Sequence, residues 1–273
     1  MLTALLLGLS IIPPSHIEAA DKSAYILAVV PQVPPVEVHK RWTPFVERLS
    51  NELGINIHLK VYQTMFQFED DIRNGVPDFA FVNPYQATIA AKEQGYIPLV
   101  RNKKSDKGIF FVRKESPFNS IKELDGKEIG FVGPTNICSL TLRHGLREKE
   151  KVHFIPKYMG TTTNVYRSVI LGKVPAGGTL SAALNREPAE VRNQIRIIYE
   201  TMPISPHPLM AHPRVAKDLK RGAVNTALRL AEDSKTQVLL EGILMPEPVK
   251  ADYKRDYKPL EMLGLERYAI ERE

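Results

Sequence analysis

The 273-residue sequence contains a single cysteine, Cys138. One cysteine excludes an intramolecular disulfide framework and a Cys-x-x-Cys pair for metal or redox chemistry. No stretch after the N-terminal region reaches the roughly 18 consecutive apolar residues that a membrane-spanning helix needs. The sequence therefore favours a globular protein that is stabilised by its hydrophobic core rather than by cross-links.

Catalytic motifs are also lacking. The sequence has no P-loop, no Gly-x-Gly-x-x-Gly, no His-Glu-x-x-His and no Gly-x-Ser-x-Gly. His207 and His212 are five residues apart, so they would face opposite sides of a strand and could not share a metal. Cys138 and His144 are six apart, a spacing that turns them away from each other on a helix. We therefore predict no catalytic residue, no metal site and no cofactor, and we expect that the protein is not an enzyme.

The charge is not concentrated in one sign. The net charge is +6, but lysines and arginines alternate with acids, as in residues 147–151. The tightest basic cluster is 101–104, which Lys107 closes. Mixed charge of this kind is typical of a solvated surface rather than of a stripe that follows nucleic-acid phosphates. We predict no nucleic-acid partner, and the 43% hydrophobic and 25% charged residues are typical of a soluble globular protein.

An apolar run occupies the N-terminus from Leu2 to Ile12, too short for a membrane span. Helix breakers and small residues follow it, including Pro13-Pro14 and Ala19-Ala20. This order predicts a secretory signal peptide over residues 1–20, cleaved after Ala20, and export to the periplasm. The alternative is a buried N-terminal strand or helix.

Short β-type runs alternate with helical patterns along the chain, which predicts an α/β protein with largely parallel sheets. The first set runs from a strand at Tyr25–Val30 to a helix at Pro84–Gln94, in the order β-α-β-α-β-α. A second set begins with a strand at Gly108–Val112. From Pro213 the pattern predicts helix almost to the end, with a break at Gly222.

Two segments rich in charge, proline and serine separate these sets, at residues 101–107 and 200–208. We interpret both as crossings between two lobes. The predicted first lobe comprises residues 22–103 plus 204–273, and the second comprises residues 104–203.

The sequence resembles the phosphate-, phosphite- and phosphonate-type periplasmic solute-binding proteins of ABC transporters, as a divergent member. The resemblance extends from about Ala24 to Leu263 and depends on the order and spacing of several segments. These segments are residues 42–49 (WTPFVERL), 75–84 (GVPDFAFVNP), 112–117 (VRKESP), 133–139, 169–177, 200–206 and the pair Asp252-Tyr253.

This resemblance implies the type II periplasmic-binding-protein fold, in which a two-segment hinge joins two α/β lobes around a ligand cleft. It implies a periplasmic protein that captures a small polar or anionic ligand for an ABC transporter permease in the inner membrane, and we expect a monomer. One alternative is a periplasmic sensor that presents its ligand to a membrane receptor or sensor kinase. Another is an enzyme built on the same fold.

Ligands of open α/β sheets bind beyond the carboxyl ends of the strands, where helix N-termini offer free N–H groups. The resemblance and this rule together imply a ligand site built from strand-end loops and from the crossings. The implied ligand-binding residues are Gln32, Phe66, Asn83, Tyr85, Lys107, Thr135, Asn136, Ile137, Cys138, Thr162, Thr163 and His207.

Several of these positions depart from the family pattern. Where phosphonate binders carry Ser-Thr-Ser, this sequence has Asn136-Ile137-Cys138, and Thr162 stands in place of a histidine. His207 replaces an aspartate of the return crossing. We therefore predict weak or absent phosphonate binding, and we predict that His207 becomes cationic near pH 6.5 and favours anions. The alternatives are that Asn136 is only a helix cap and that His207 is a solvent-exposed hinge residue.

Overall fold

A computed structural model describes residues 24–269 of the chain. The predicted signal peptide at residues 1–20 lies outside the described residues. Within residues 24–269, every helix is too short or too polar to cross a bilayer.

Eleven β-strands lie within the described range, and they form two separate sheets. In chain order they are β1 (Tyr25–Val29), β2 (Ile57–Lys60), β3 (Phe79–Phe81), β4 (Ile97–Asn102), β5 (Asp106–Arg113), β6 (Lys127–Phe131), β7 (Phe154–Tyr158), β8 (Ala176–Leu180), β9 (Ile195–Ile204), β10 (Pro208–Ala211) and β11 (Pro248–Lys250).

Twelve α-helices cover the same range, with a 3₁₀ turn at Ile121–Leu124 and a π-helical turn at Gly145–Glu150. The helices are α1 (Pro35–Leu53), α2 (Met65–Arg73), α3 (Pro84–Gln94), α4 (Ile137–His144), α5 (Thr162–Ile170), α6 (Ser181–Asn185), α7 (Ala189–Arg192), α8 (Lys217–Leu230), α9 (Ser234–Gly242), α10 (Tyr253–Asp256), α11 (Lys258–Glu261) and α12 (Glu266–Ala269).

The strand order divides the chain into two α/β lobes. The first sheet has the order β11-β4-β10-β3-β1-β2, and the second has the order β7-β6-β8-β5-β9. Strands β1, β2 and β3 are parallel, as are β6, β7 and β8, but β10 and β11 pair antiparallel in the first sheet and β5 pairs antiparallel with β8 and β9 in the second. The prediction of largely parallel sheets is therefore wrong: both sheets are mixed.

The antiparallel strands explain how the chain passes between the lobes. It leaves the first sheet after β4, enters the second at β5, and returns from β9 to β10. The crossings are thus residues 103–105 and 205–207. The predicted boundaries lie beside these crossings, although β9 keeps Ile204 in the second sheet, one residue beyond the predicted limit.

Helix α1 illustrates how the pattern of the sequence builds the first lobe. Its buried residues recur at helical spacing and face the sheet, and Trp42 packs on Phe81 with ring centroids 4.7 Å apart. Burial of such a side chain stabilises the fold by about 1.5–3 kcal/mol. Gly54 ends the helix with a φ of 64°, a left-handed conformation that glycine adopts without strain.

Two glycines allow helices to pack closely on both faces of the second sheet. An added Cβ on Gly177 would lie 2.7 Å from Val165 of α5, and one on Gly178 would lie 2.8 Å from Leu142 of α4. These distances are too short for any larger residue in a close-packed interior. The side chains of Phe110 and Phe131 complete the core below α4.

The prediction for the C-terminal third is wrong in two respects. Strand β11 interrupts the region from Pro213 onward that was expected to be helical. Gly222 does not break α8 but lies within it. A Cβ at this position would lie 2.5 Å from the side chain of Leu53, so a larger residue would not fit. The glycine thus serves the close packing of α8 against α1.

The two lobes already touch through a set of apolar side chains that we call the interlobe cluster. Its buried members are Tyr85, Ile89, Ile137, Leu140, Leu265 and Tyr268. They come from α3 of the first lobe, α4 of the second lobe and the C-terminal segment. The Tyr268 hydroxyl also donates to Glu148 Oε1 at 2.7 Å, so the C-terminal segment binds the second lobe.

Candidate functional site

Loops from both sheets converge where the chain crosses between the lobes. In the first sheet, β1 and β3 end at Val29 and Phe81, directly before the loop of Gln32 and the start of α3. In the second sheet, β6 ends before the loop that leads into α4, and β8 ends before α6. Because β5 is antiparallel to β8, its first residue lies at the same edge. This edge is where an open α/β sheet binds its ligand.

The Asn83 side chain caps the N-terminus of α3, the helix that follows it. Its side-chain oxygen accepts from the N–H of Gln86 at 2.9 Å, and the Gln86 side chain accepts from the N–H of Asn83 at 3.1 Å. This reciprocal capping box satisfies two of the free N–H groups of α3. Tyr85, on the first turn, is buried in the interlobe cluster, and burial raises its pKa to about 12.

His207 lies beside Gln32, as the predicted site requires, but it does not carry the predicted charge. Its ring stacks on Phe81 with centroids 5.5 Å apart, and the Gln32 amide donates to its Nε2. An accepting Nε2 requires the neutral ring. Burial lowers the pKa of His207 to about 4. The prediction of a group that becomes cationic near pH 6.5 is therefore wrong.

The N-terminus of α4 is capped from within the chain. The Asn136 side-chain oxygen accepts from the N–H groups of Cys138 and Ser139, at 3.1 and 3.3 Å. These are amides that an anion would otherwise bind. Ile137, the next residue, is buried in the interlobe cluster, to which Tyr85 also belongs.

The Cys138 side chain does not line the cleft, which corrects the prediction. It is 2% exposed and packs in the second-lobe core with Phe110 and Leu142. Burial, and to a lesser degree the charge of Asp106, raises the pKa of the thiol well above its ordinary value. A neutral, enclosed thiol offers a ligand neither a nucleophile nor a polar contact.

Helix α5 is also capped internally, by Thr161. The Thr161 hydroxyl accepts from the N–H of Asn164 at 3.2 Å. Thr162 is partly buried on the first turn, and the Thr163 hydroxyl donates to Glu187 at 3.4 Å. Thr135 is likewise partly buried in the loop before α4. The sequence predicted the loop before α5 at a strand end, but its capping residue is Thr161, which precedes the predicted Thr162 and Thr163.

The remaining predicted residues contribute little free charge. Lys107 Nζ forms an ion pair with Glu200 Oε2 at 2.7 Å, and both side chains are about half exposed. Phe66 lies at the start of α2 and is 67% exposed. In residues 24–269 no three side chains of histidine, cysteine, aspartate or glutamate meet in a group that could hold a metal ion.

Asp106, which the sequence analysis did not select, has the most distinctive environment at this edge. Its Oδ1 accepts from the Ser181 hydroxyl at 2.6 Å, from the Ala182 N–H at 3.1 Å and from the Lys107 N–H at 2.8 Å. One signal in the sequence was its position directly after a crossing, where it becomes the first residue of β5.

Comparisons with known proteins agree with this architecture. Residues 27–257 match the family described as ABC transporter, phosphonate, periplasmic substrate-binding protein. The solved structure of XAC2383 from Xanthomonas citri bound to ATP is 17% identical, with a TM-score of 0.79, and the match covers 92% of this chain and 100% of that chain. PhnD1 from Prochlorococcus marinus in complex with methylphosphonate is 16% identical, with a TM-score of 0.77 and coverage of 91% and 99%.

A third solved structure is similar to the chain over a comparable length. The binding-protein component PA3383 of an ABC phosphonate transporter from Pseudomonas aeruginosa is 13% identical, with a TM-score of 0.71, over 91% of this chain and 88% of that chain. Identities this low show a common fold. No curated protein sequence matches the chain.

Proposed function

We propose that this chain, which belongs to the periplasmic substrate-binding proteins of phosphonate-type ABC transporters, captures a small polar solute other than a phosphonate. Membership of the family makes it the solute-binding component of an ABC-type transport system. The ligand site that we propose is the edge where Gln32, His207, Thr135 and Thr162 approach the crossings.

The observation that carries this proposal is the internal capping of the helices at that edge. Asn83 caps α3, Asn136 caps α4 and Thr161 caps α5. An arriving oxyanion would find several of its usual N–H donors already engaged. A binding site discriminates strongly against a ligand group that leaves polar partners poorly matched.

Neutral polar groups are what the edge offers instead. The His207 ring is neutral, and it is held against Phe81 by stacking and by the Gln32 amide. Thr135 and Thr162 add hydroxyl groups on the second lobe. Such groups can donate and accept hydrogen bonds to an uncharged or zwitterionic polar ligand.

We further propose that the lobes close on the ligand by a hinge motion at residues 103–105 and 205–207. A two-segment connection between two compact lobes favours hinge closure. In this proposal the protein is a monomer, catalyses no reaction, and delivers its ligand from the periplasm to a permease of the inner membrane. Residues 1–20 would be removed during export.

Small-angle X-ray scattering and native mass spectrometry test this function together. Protein purified from a periplasmic extract without refolding should carry a bound small molecule that native mass spectrometry identifies. Removal of that molecule by dialysis should raise the radius of gyration, and its return should lower it again. The same protein after dialysis and mock addition of buffer is the control.

The results that would contradict the proposal are equally concrete. An unchanged scattering profile at saturating ligand would exclude hinge closure. Micromolar or tighter binding of methylphosphonate or inorganic phosphate in calorimetry would show that internal capping does not exclude oxyanions.

A further inference from the structure

Asp106 suggests how the cleft selects ligands by charge, an inference that rests on the proposed solute-binding function. We propose that the Asp106 carboxylate acts as an internal anion that excludes phosphate-type oxyanions, so that the cleft accepts uncharged or cationic solutes. Neither the family match nor the similar structures assign a role to this residue.

The first support is the position of Asp106 beside both crossings. It is the first residue of β5, and it pairs with Ile204, the last residue of β9. Its neighbour Ser181 follows the carboxyl end of β8. Its charge also reaches the start of α4, where it raises the pKa of Cys138. Asp106 therefore lies where strand ends of the second lobe meet the connection to the first.

The second support is the way in which its oxygen atoms are bound. The Ser181 hydroxyl, the Ala182 N–H and the Lys107 N–H donate to Oδ1, and the Ala182 N–H also lies 3.3 Å from Oδ2. Hydroxyl and backbone N–H donors of this type are those that proteins commonly use for bound oxyanions. The Asp106 carboxylate thus accepts hydrogen bonds from donors that could otherwise bind a ligand anion.

The third support is that Asp106 has no ion-pair partner among the described residues. In the part of the chain that the structure describes, its contacts are all with neutral donors and none is an ion pair. The nearest lysine in sequence, Lys107, directs its ammonium group to Glu200. Lys103 and Lys104 lie on the same crossing, but in the described residues neither forms an ion pair with Asp106, and His207 adds no charge at neutral pH.

Partial exposure allows this charge to act on a ligand. The Asp106 side chain is neither enclosed in a core nor fully exposed to solvent. Near a protein surface, two like charges a few ångströms apart repel by several times the thermal energy. A phosphate or phosphonate group at this edge would meet that repulsion in addition to the capped helix N-termini, whereas a cationic nitrogen would be attracted.

The test removes the charge and keeps the shape. Asp106→Asn retains an oxygen that can accept from Ser181 and Ala182. The probes are inorganic phosphate and methylphosphonate, titrated by calorimetry into the parent and the variant at one ionic strength. We expect weak or undetectable binding in the parent and binding at least about tenfold tighter in the variant, as removal of a nearby unit charge predicts.

Two further variants make the result specific. Asp233→Asn is the matched control, because Asp233 also caps a helix, accepting from the Lys235 N–H at 2.9 Å, but lies at the start of α9. It should leave the affinity for both probes within about twofold of the parent. Asp106→Ser, which also lacks the charge, replaces Asp106→Asn if thermal melting shows that the latter does not fold.

Three outcomes would overturn the inference: parent and charge-free variant within twofold of each other for both probes, an equal gain in Asp233→Asn, or micromolar binding of either probe by the parent. The natural ligand found by mass spectrometry must also lack a phosphate or phosphonate group. Micromolar binding of a probe by the parent would also contradict the proposed exclusion of oxyanions, whereas failure of the Asp106→Asn comparison alone would leave the proposed function intact. Solute capture and hinge closure are tested separately, because a co-purified ligand and a scattering change in the parent do not depend on Asp106.

Discussion

Two carboxylates, one in each lobe, have opposite environments. Asp78 precedes β3 in the first lobe and is 0% exposed. Its Oδ1 forms an ion pair with Arg214 Nε at 2.7 Å, and its Oδ2 accepts from the Ile26 N–H at 2.9 Å. Asp106 begins β5 in the second lobe, is partly exposed, and is bound by neutral donors.

The difference separates a structural charge from one that is available to a ligand. A buried carboxylate costs several kcal/mol in desolvation, which a cation and hydrogen bonds must offset. Arg214 supplies the cation that offsets this cost for Asp78. Its guanidinium also donates to the carbonyl oxygens of Gly75 and Val76. Asp106 needs no such partner because it is partly exposed, and in our proposal its charge acts on a ligand in the cleft.

The largest effect that this comparison predicts is on stability, at Asp78. Asp78→Asn leaves the Arg214 guanidinium without its carboxylate and should lower the free energy of unfolding by about 2–3 kcal/mol. Solute binding should not change, because Asp78 lies away from the crossings. Urea denaturation and calorimetry measure the two quantities.

Asp106→Asn is the counterpart in that experiment. It should alter the free energy of unfolding by less than about 1 kcal/mol, as a substitution at a partly exposed hydrogen-bonded site does. Equal destabilisation by Asp78→Asn and Asp106→Asn would contradict this distinction, since Asp106 would then be needed for stability as well.

Much of the fold could be predicted from the sequence because its signals are local. The helical spacing of Trp42, Phe45 and Leu49 is visible in the sequence and corresponds to the buried face of α1, and Gly54 is typical of a helix end. Strands β4, β10 and β11 were not predicted. Their pairing depends on partners distant in the chain, as β10 between β3 and β4 demonstrates.

The candidate site was predictable in location and less so in chemistry. Strand-end loops follow from the alternation of strands and helices, so Gln32, Asn136 and Thr162 could be selected. The environment of His207 could not, because burial lowers its pKa and that burial comes from tertiary packing, in which Phe81 from a distant segment stacks on the ring. Asp106 was missed for a similar reason: the lack of a cation partner is a tertiary property.

A smaller effect should distinguish His207, a half-buried histidine on the crossing at 205–207, from an exposed histidine of the second lobe. The pKa of His207 is about 4 in the folded protein, whereas an unfolded histidine titrates near pH 6.5. Below pH 6.5 the unfolded state binds the additional proton, so stability should fall as the pH drops towards 4. Allowing for partial exposure, we expect a loss of about 1–2 kcal/mol between about pH 7 and pH 5.

Urea denaturation of the parent and His207→Gln across that range measures this loss. The variant should lack the contribution of His207, while His153→Gln, which removes a highly exposed histidine, should keep it. Ligand affinity in the parent should not rise between about pH 8 and pH 5.5, because His207 remains neutral there. If the affinity of the parent for anions rises as the pH falls, and His207→Gln abolishes that rise, His207 must become cationic in this range after all.

An effect smaller than those at Asp78 and His207 concerns the helix cap Asn136 of the second lobe. Asn136→Ala removes the acceptor for the Cys138 and Ser139 N–H groups and should lower the free energy of unfolding by about 1 kcal/mol. Asp233→Ala is the matched control, since it removes the cap bond of α9, which lies outside the proposed ligand-binding edge. If Asn136 is only a cap, both variants lose similar stability and bind the natural ligand as the parent does.

If the freed amides of α4 accept anions, Asn136→Ala alone should bind inorganic phosphate more tightly in calorimetry. This gain in affinity should increase when Asn136→Ala is combined with Asp106→Asn. Loss of natural-ligand affinity in Asn136→Ala without loss of stability would instead show that the Asn136 side chain contacts the ligand directly.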